Sequence, residues 1–216
     1  MAEPLRLAIA ILAAGSSRRF GEADKLTADF DGRPLGEHVA AAVPAERFED
    51  RWVITSDPNH LCSTAWTAAG FELVHNNRAS RGMGTSVAMA ARFAASRKCH
   101  GLMIALADMP RVPTSHFTAL VDALNGPGDI AASSNTGSKV GVRLPPAIFG
   151  GDHLGRLSRM RGEEGARRML AEARTIPCPA DWLIDIDRPD DLRKYGQPSV
   201  TTLKPEPSPK PAPNGE

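Results

Sequence analysis

Leu7-Ala8-Ile9-Ala10-Ile11-Leu12-Ala13-Ala14-Gly15-Ser16-Ser17-Arg18-Arg19-Phe20-Gly21-Glu22-Ala23-Asp24-Lys25-Leu26 is the stretch on which the fold turns. Leu7 to Ala13 is an unbroken apolar run, too short for a globular helix and suited to a strand buried on both faces. A glycine-and-serine loop follows it. Small residues let backbone N–H groups approach phosphate oxygens, and Arg19 and Lys25 add fixed positive charge, so the loop reads as a polyphosphate cradle. A Walker loop would need Gly-Lys followed by Ser or Thr, and a dinucleotide fingerprint would need G-x-G-x-x-G. Neither is present. The ordinary alternative, a solvated basic turn after a core strand, leaves the two cations of so glycine-rich a loop unexplained.

Outward from this strand the chain alternates. Pro34 to Val43 reads as a helix with Pro34 in its first turn, Arg51 to Thr55 as a second strand, and Pro58 to Ala69 as a helix after an Asp57 cap. Phe71 to Val74 is a third strand, Thr85 to Ala95 an Ala-rich helix, Gly101 to Leu106 an apolar strand ending near Asp108, and Thr114 to Leu124 a helix. Alternation at this spacing predicts an α/β fold with a mostly parallel sheet covered on both faces. In such sheets ligands bind at the carboxyl ends of strands, where both the Gly15 to Lys25 loop and Asp108 fall. Beyond it, Ile130 to Ala132 and Val140 to Leu144 read as irregular strands, Glu164 to Ala173 as a helix, Trp182 to Ile186 as a strand, and Pro189 to Lys194 as a helix capped by Asp187.

Residues 1–197 form one expected domain. Residues 198–216, rich in Pro and Lys with no apolar period, are expected to be disordered. Truncation after Gln197 should therefore leave both melting temperature and turnover unchanged, and a clear drop in melting temperature would show that the tail docks.

Formal charge is +1, from 26 basic and 25 acidic residues, so no overall field draws the 216-residue chain to nucleic acid or a membrane. Anion binding must be local. The apolar run after Glu3 and Arg6 is too short to span a bilayer and lacks a signal-peptide cleavage pattern. Cys62, Cys99 and Cys178 lie far apart and in no metal-binding spacing, which with the lack of a leader points to a reduced, cytoplasmic protein. The six histidines, His38, His60, His75, His100, His116 and His153, form no ligand spacing and receive no role.

The loop Leu12 to Lys25 resembles the L-A-A-G-x-S-x-R-x-G-x-x-x-K signature of the molybdenum cofactor cytidylyltransferase family, within a wider nucleotidyltransferase group. The resemblance continues in Arg81-Gly82-Met83-Gly84-Thr85-Ser86-Val87, in Ala107-Asp108-Met109-Pro110 and in Pro146-Ala147-Ile148-Phe149. It extends through Gly162-Glu163-Glu164-Gly165-Ala166-Arg167 to Asp185-Ile186-Asp187-Arg188-Pro189-Asp190-Asp191-Leu192. Together these motifs span residues 7 to 194.

This resemblance implies a Rossmann-like three-layer sandwich of the nucleotide-diphospho-sugar transferase type. It assigns catalysis to Arg19, Lys25 and Asp108, with the first two on the triphosphate. Leu12, Ala13, Ala14, Gly15, Ser16, Ser17, Gly82, Gly84 and Ser86 would line the nucleotide site, Ser86 meeting the base. Asp108, Asp185 and Asp187 would hold Mg2+, although capping explains Asp187 equally well and Asp108 could cap a helix ahead of Pro110. The implied substrates are CTP and molybdopterin, with a molybdenum enzyme as client. Ala14 stands where guanylyl-transferring relatives tend to have Gly, which leans toward CTP over GTP. Other acceptors, methylerythritol or sugar phosphates, stay open, because Gly137 to Arg143 in the acceptor-facing half matches the family only loosely. Glu163 and the stretch Thr27 to Phe30 also depart from its pattern. A non-catalytic nucleotide-binding or cofactor-carrying chaperone is the reading from another class, and the retention of Arg19, Lys25 and Asp108 together argues against it.

Overall fold

In the computed structural model, which describes residues 5–15, 20, 24–135, 142–162 and 167–196, the run Leu7–Ala13 is strand β1 and all its residues are buried. A tight hairpin follows, β2 (Asp29–Phe30) and β3 (Arg33–Pro34), then α1 (Glu37–Ala42), β4 (Asp50–Thr55), α2 (Ser63–Ala68) and β5 (Glu72–His75). The chain continues through α3 (Met83–Ser96), β6 (Gly101–Leu106), α4 (Thr114–Asp122), β7 (Ile130–Asn135) and β8 (Arg143–Gly150). The last elements are α5 (Leu154–Leu157), α6 (Arg167–Leu170), β9 (Arg174–Cys178) and α7 (Pro189–Tyr195).

β1 lies between β4 and β6, parallel to both. The seven-stranded sheet has the order β5-β4-β1-β6-β8-β7-β9, and β8 alone runs against its neighbours. Side chains alternate along β1, so Leu7, Ile9, Ile11 and Ala13 enter one core with Trp66, Phe117 and Leu120, while Ala8, Ala10 and Leu12 enter the other. That second core is filled largely by α3, whose Ala90, Ala91 and Ala94 let the helix approach the sheet closely. The result is the expected three-layer α/β sandwich.

Several sequence expectations need correction. The helix drawn from Pro34 starts at Glu37, because Asp31 and Gly32, both at positive φ, close the β2–β3 hairpin and leave Pro34 at a strand end where its missing N–H costs nothing. Pro58 to Cys62 is not helical either: the Asp57 carboxylate accepts from the Asn59 N–H in a local turn, and α2 begins at Ser63. β8 reaches Gly150, well beyond the strand expected at Val140 to Leu144, and its ladder with β7 shifts register between Ala132 and Ser133, passing over Pro145 and Pro146. The expected helix to Ala173 ends at Leu170 within the described residues and gives way to β9. Trp182 to Ile186 is not a strand: Ala180–Leu183 forms a 3-10 turn, and the chain extends only from Ile184.

Gly150 illustrates how tightly β8 is seated. A Cβ there would collide with the carbonyl oxygens of Pro127 and Gly126, which are backbone and cannot swing away. Gly150→Ala should therefore cost about 1–3 kcal/mol of stability, read as a lowered denaturant midpoint at unchanged m-value. An unchanged midpoint would mean that the Pro127 turn yields freely. Among the described residues no helix is long and apolar enough to cross a membrane, and the three cysteines are buried thiols outside any disulfide.

Candidate active site

A cleft of about 440 Å³ opens at the carboxyl ends of β1 and β6. Leu12, Ala13, Ala14 and Gly15 form one wall, Leu106 to Asp108 the adjoining one, and Gly82 and Ser86 stand opposite. The parallel pairing of β1 with β6 puts Leu12 beside Leu106, so the two motifs meet because their strands end together. Ser16, Ser17 and Arg19, also expected here, lie outside the described residues.

Lys25 reaches the same place from a 3-10 turn, Lys25–Thr27. Asp24 caps that turn, its Oδ1 accepting from the Leu26 N–H at 3.0 Å. Only 7% of Lys25 is exposed. Its Nζ donates to Asp108 Oδ2 at 2.5 Å and Asp187 Oδ1 at 3.1 Å, and lies 3.9 Å from Asp185. Burial alone would lower the Lys25 pKa, but Asp108, Asp185 and Asp187 outweigh it and hold the ammonium charged.

The second strip of the site is Asp185-Ile186-Asp187. Ile186 is fully buried, and its N–H donates to the Asp108 carbonyl at 3.0 Å. In an extended chain, residues two apart share a face, so sinking Ile186 into the core turns both aspartates toward Lys25. Burial first, then the charge of Asp108, pushes the Asp185 carboxyl up to about 7. That is the expected response of a third carboxylate crowded by two others.

The capping alternatives do not describe these aspartates. No helix starts at Asp108, since α4 begins at Thr114 after Pro113. The N-cap position of α7 is Arg188, one residue beyond Asp187, and the backbone N–H groups of Asp187 and Arg188 both donate back to Asp191 Oδ2, at 3.0 and 2.8 Å. Ligand oxygens of Asp108, Asp185 and Asp187 lie within 4.8 Å of one another. Asp108 Oδ1 is buried with no hydrogen-bond partner among the described residues. An all-oxygen, acidic donor set with one oxygen unsatisfied fits a hard divalent cation.

The opposite wall is held by a residue that the sequence reading missed. Asn76, 1% exposed, donates through Nδ2 to Ser86 Oγ and Thr85 Oγ1, both at 2.9 Å, while its Oδ1 accepts from the Arg78 N–H. Ser86 is thus an acceptor toward Asn76, a role that leaves a hydroxyl hydrogen able to donate. Ser86 sits within α3 and is no cap. Gly84, expected beside the nucleotide, is turned elsewhere: its N–H donates to Gly162 O at 2.9 Å, and a Cβ would strike that oxygen at 2.8 Å. Gly82, at φ 106°, does line the cleft.

Comparison with known proteins gives the family and the fold. The family model of the MobA-like NTP transferase domain matches residues 9–176. "Purine catabolism protein PucB" of Bacillus subtilis (strain 168) is 30% identical over 195 residues, covering 83% of this chain and 91% of that protein. A nucleotidyl transferase from Methanothermobacter thermautotroptrophicus superposes with a TM-score of 0.72 at 17% identity, over 88% of this chain and 96% of the other. Rv0371c from Mycobacterium tuberculosis H37Rv gives 0.66 at 20% identity, over 89% and 98% respectively, and has also been solved in complex with manganese.

Proposed function

The chain belongs to the MobA-like NTP transferase family, and we propose that it moves a cytidylyl group from CTP to the phosphate of molybdopterin, releasing pyrophosphate. The observation that carries this reading is the placement of Lys25 among Asp108, Asp185 and Asp187 beside a cleft of nucleotide size at the sheet's carboxyl edge.

An acceptor phosphate oxygen attacks the α-phosphorus in line. The bond from that phosphorus to the bridging oxygen of the β-phosphate breaks, and the electron pair leaves with pyrophosphate. The acceptor is already ionised near neutral pH, so no strong general base is required, and the protein contributes position and charge. Lys25, buried and charged, supports the triphosphate and the negative charge that grows on its leaving part. Leu12 to Gly15 form the cleft wall against the nucleotide, and Ser86, aligned by Asn76, offers a donor to the base. Asp108, Asp185 and Asp187 would hold magnesium, which when bound supplies positive charge against the phosphate oxygens. The mycobacterial neighbour has been solved in complex with manganese, which supports a divalent cation as part of this reading. The preference for CTP is supported by Ala14, which lines the cleft where guanylyl-transferring relatives tend to have Gly.

The test is a panel of the four triphosphates with magnesium, with and without molybdopterin, scored by pyrophosphate release. CTP should exceed GTP by about tenfold or more in kcat/KM, a ratio that one wall contact plus one hydrogen bond can supply. GTP at parity or better would move the chain to guanylyl transfer. Release with a methylerythritol or sugar phosphate, and none with molybdopterin, would replace the acceptor. No release with any triphosphate would remove the catalytic reading.

A further inference from the structure

We infer that His60 is a positioning residue for Lys25, acting through Asp24; the inference deepens the proposed function and rests on Lys25 serving the triphosphate. His60 is 6% exposed and belongs to the loop before α2 rather than to the cleft wall. Its Nδ1 accepts the Cys62 backbone N–H at 3.0 Å. A backbone N–H can only donate, so Nδ1 carries a lone pair and the ring hydrogen sits on Nε2. Nε2 lies 2.6 Å from Asp24 Oδ2 and is therefore the donor in that contact.

The other oxygen of Asp24 caps the turn that carries Lys25. The turn is further tied to Asp24 by the Thr27 N–H and Thr27 hydroxyl, both donating to the Asp24 carbonyl, at 3.1 and 2.8 Å. His60 thus fixes one carboxylate oxygen so that the second meets Leu26, and the direction in which Lys25 leaves the turn follows.

The ring that does this is held on its own side. His60 stacks on Trp66 with centroids 4.7 Å apart, and Trp66 Nε1 donates to Gly36 O at 2.8 Å. Gly36 closes the assembly: a Cβ there would lie 3.1 Å from Leu26 Cβ and 3.3 Å from Cys62 Sγ, so the Lys25 turn and the His60 loop are packed against one another. Asp24 has a half-exposed side chain. A buried donor on one oxygen of such a carboxylate keeps the other turned toward the cap.

Two variants test this. His60→Phe keeps the stacking ring and removes both hydrogen bonds; His60→Gln keeps a donor that reaches Asp24. Amide hydrogen exchange of Leu26, read without substrate, should accelerate in His60→Phe and return toward wild type in His60→Gln. Below the melting temperature of each variant, His60→Phe should lower kcat/KM for the triphosphate by ~10–100-fold, the scale of a misplaced catalytic group. The fall should be mostly in kcat, and His60→Gln should recover most of it. In a Lys25→Ala background the same change should cost almost nothing, since the group being positioned is gone.

Unaltered Leu26 exchange in folded His60→Phe would overturn the inference. So would an equal fall in both backgrounds, which is the signature of a general structural role, or wild-type kcat despite faster exchange. Failure of the proposed function shows differently: wild-type protein would release no pyrophosphate, while the exchange result would still decide whether His60 governs the turn.

Discussion

Asp108→Asn should fold, bind triphosphate and fail to turn it over, with kcat reduced ~100-fold or more, the scale on which loss of a single stabilising group acts. Asn matches Asp in size, so the packing of the turn after β6 and the Ile186 N–H bond to the residue 108 carbonyl can both persist. What disappears is one negative charge among three carboxylates whose ligand oxygens lie within 4.8 Å. Oδ1 of Asp108, buried and without a hydrogen-bond partner among the described residues, suits a hard cation, and an amide there either offers a weaker ligand or presents N–H hydrogens to it. Some stability cost is expected as well, because Lys25 loses its shortest ion pair. The decisive comparison is turnover at saturating CTP and raised magnesium, in protein shown by melting to be folded. A rate close to wild type would remove Asp108 from the reaction and leave the acidic cluster as a counter-charge for Lys25.

The legible parts of this molecule were those whose cause is local. Leu7–Ala13 and Gly101–Leu106 match the expected strands residue for residue, because a fully buried parallel strand must be apolar throughout and so marks its own ends. Lys25, Asp108, Asp185 and Asp187 were found as linear motifs, and the structure brings all four together. The failures lie where tertiary contacts decide. Arg174–Cys178 carries no alternation and is a strand only because β7 offers its edge. Trp182 and Leu183 looked like strand residues, but they sit in a 3-10 turn that precedes the extended aspartate strip. Asn76 and His60 have no signal of their own. Each matters through a partner at a separation, 10 residues to Ser86 and 36 to Asp24, that no period in the sequence connects.

Lys25→Ala should separate the two duties of the lysine. In the protein as described, its ammonium lies among the carboxylates that would hold magnesium, so it neutralises the cluster and competes with the cation for the same oxygens. Removing it leaves three carboxylates crowded together, with Asp185 already pushed up to about 7 by burial and by Asp108. Such a cluster takes a divalent cation more readily than the wild-type one does. Magnesium should therefore raise the melting temperature of Lys25→Ala by more than that of wild type, the mark of a ligand that binds only the folded state. Turnover should move the opposite way. With no buried ammonium to meet the triphosphate, kcat at saturating CTP should fall ~100-fold or more, whatever magnesium is added. The paired measurements exclude the plain stability explanation, which predicts that any condition restoring the melting temperature also restores the rate. Near-wild-type turnover in the variant would leave Lys25 as a structural counter-ion. A melting temperature that ignores magnesium in both proteins would take the cation away from Asp108, Asp185 and Asp187.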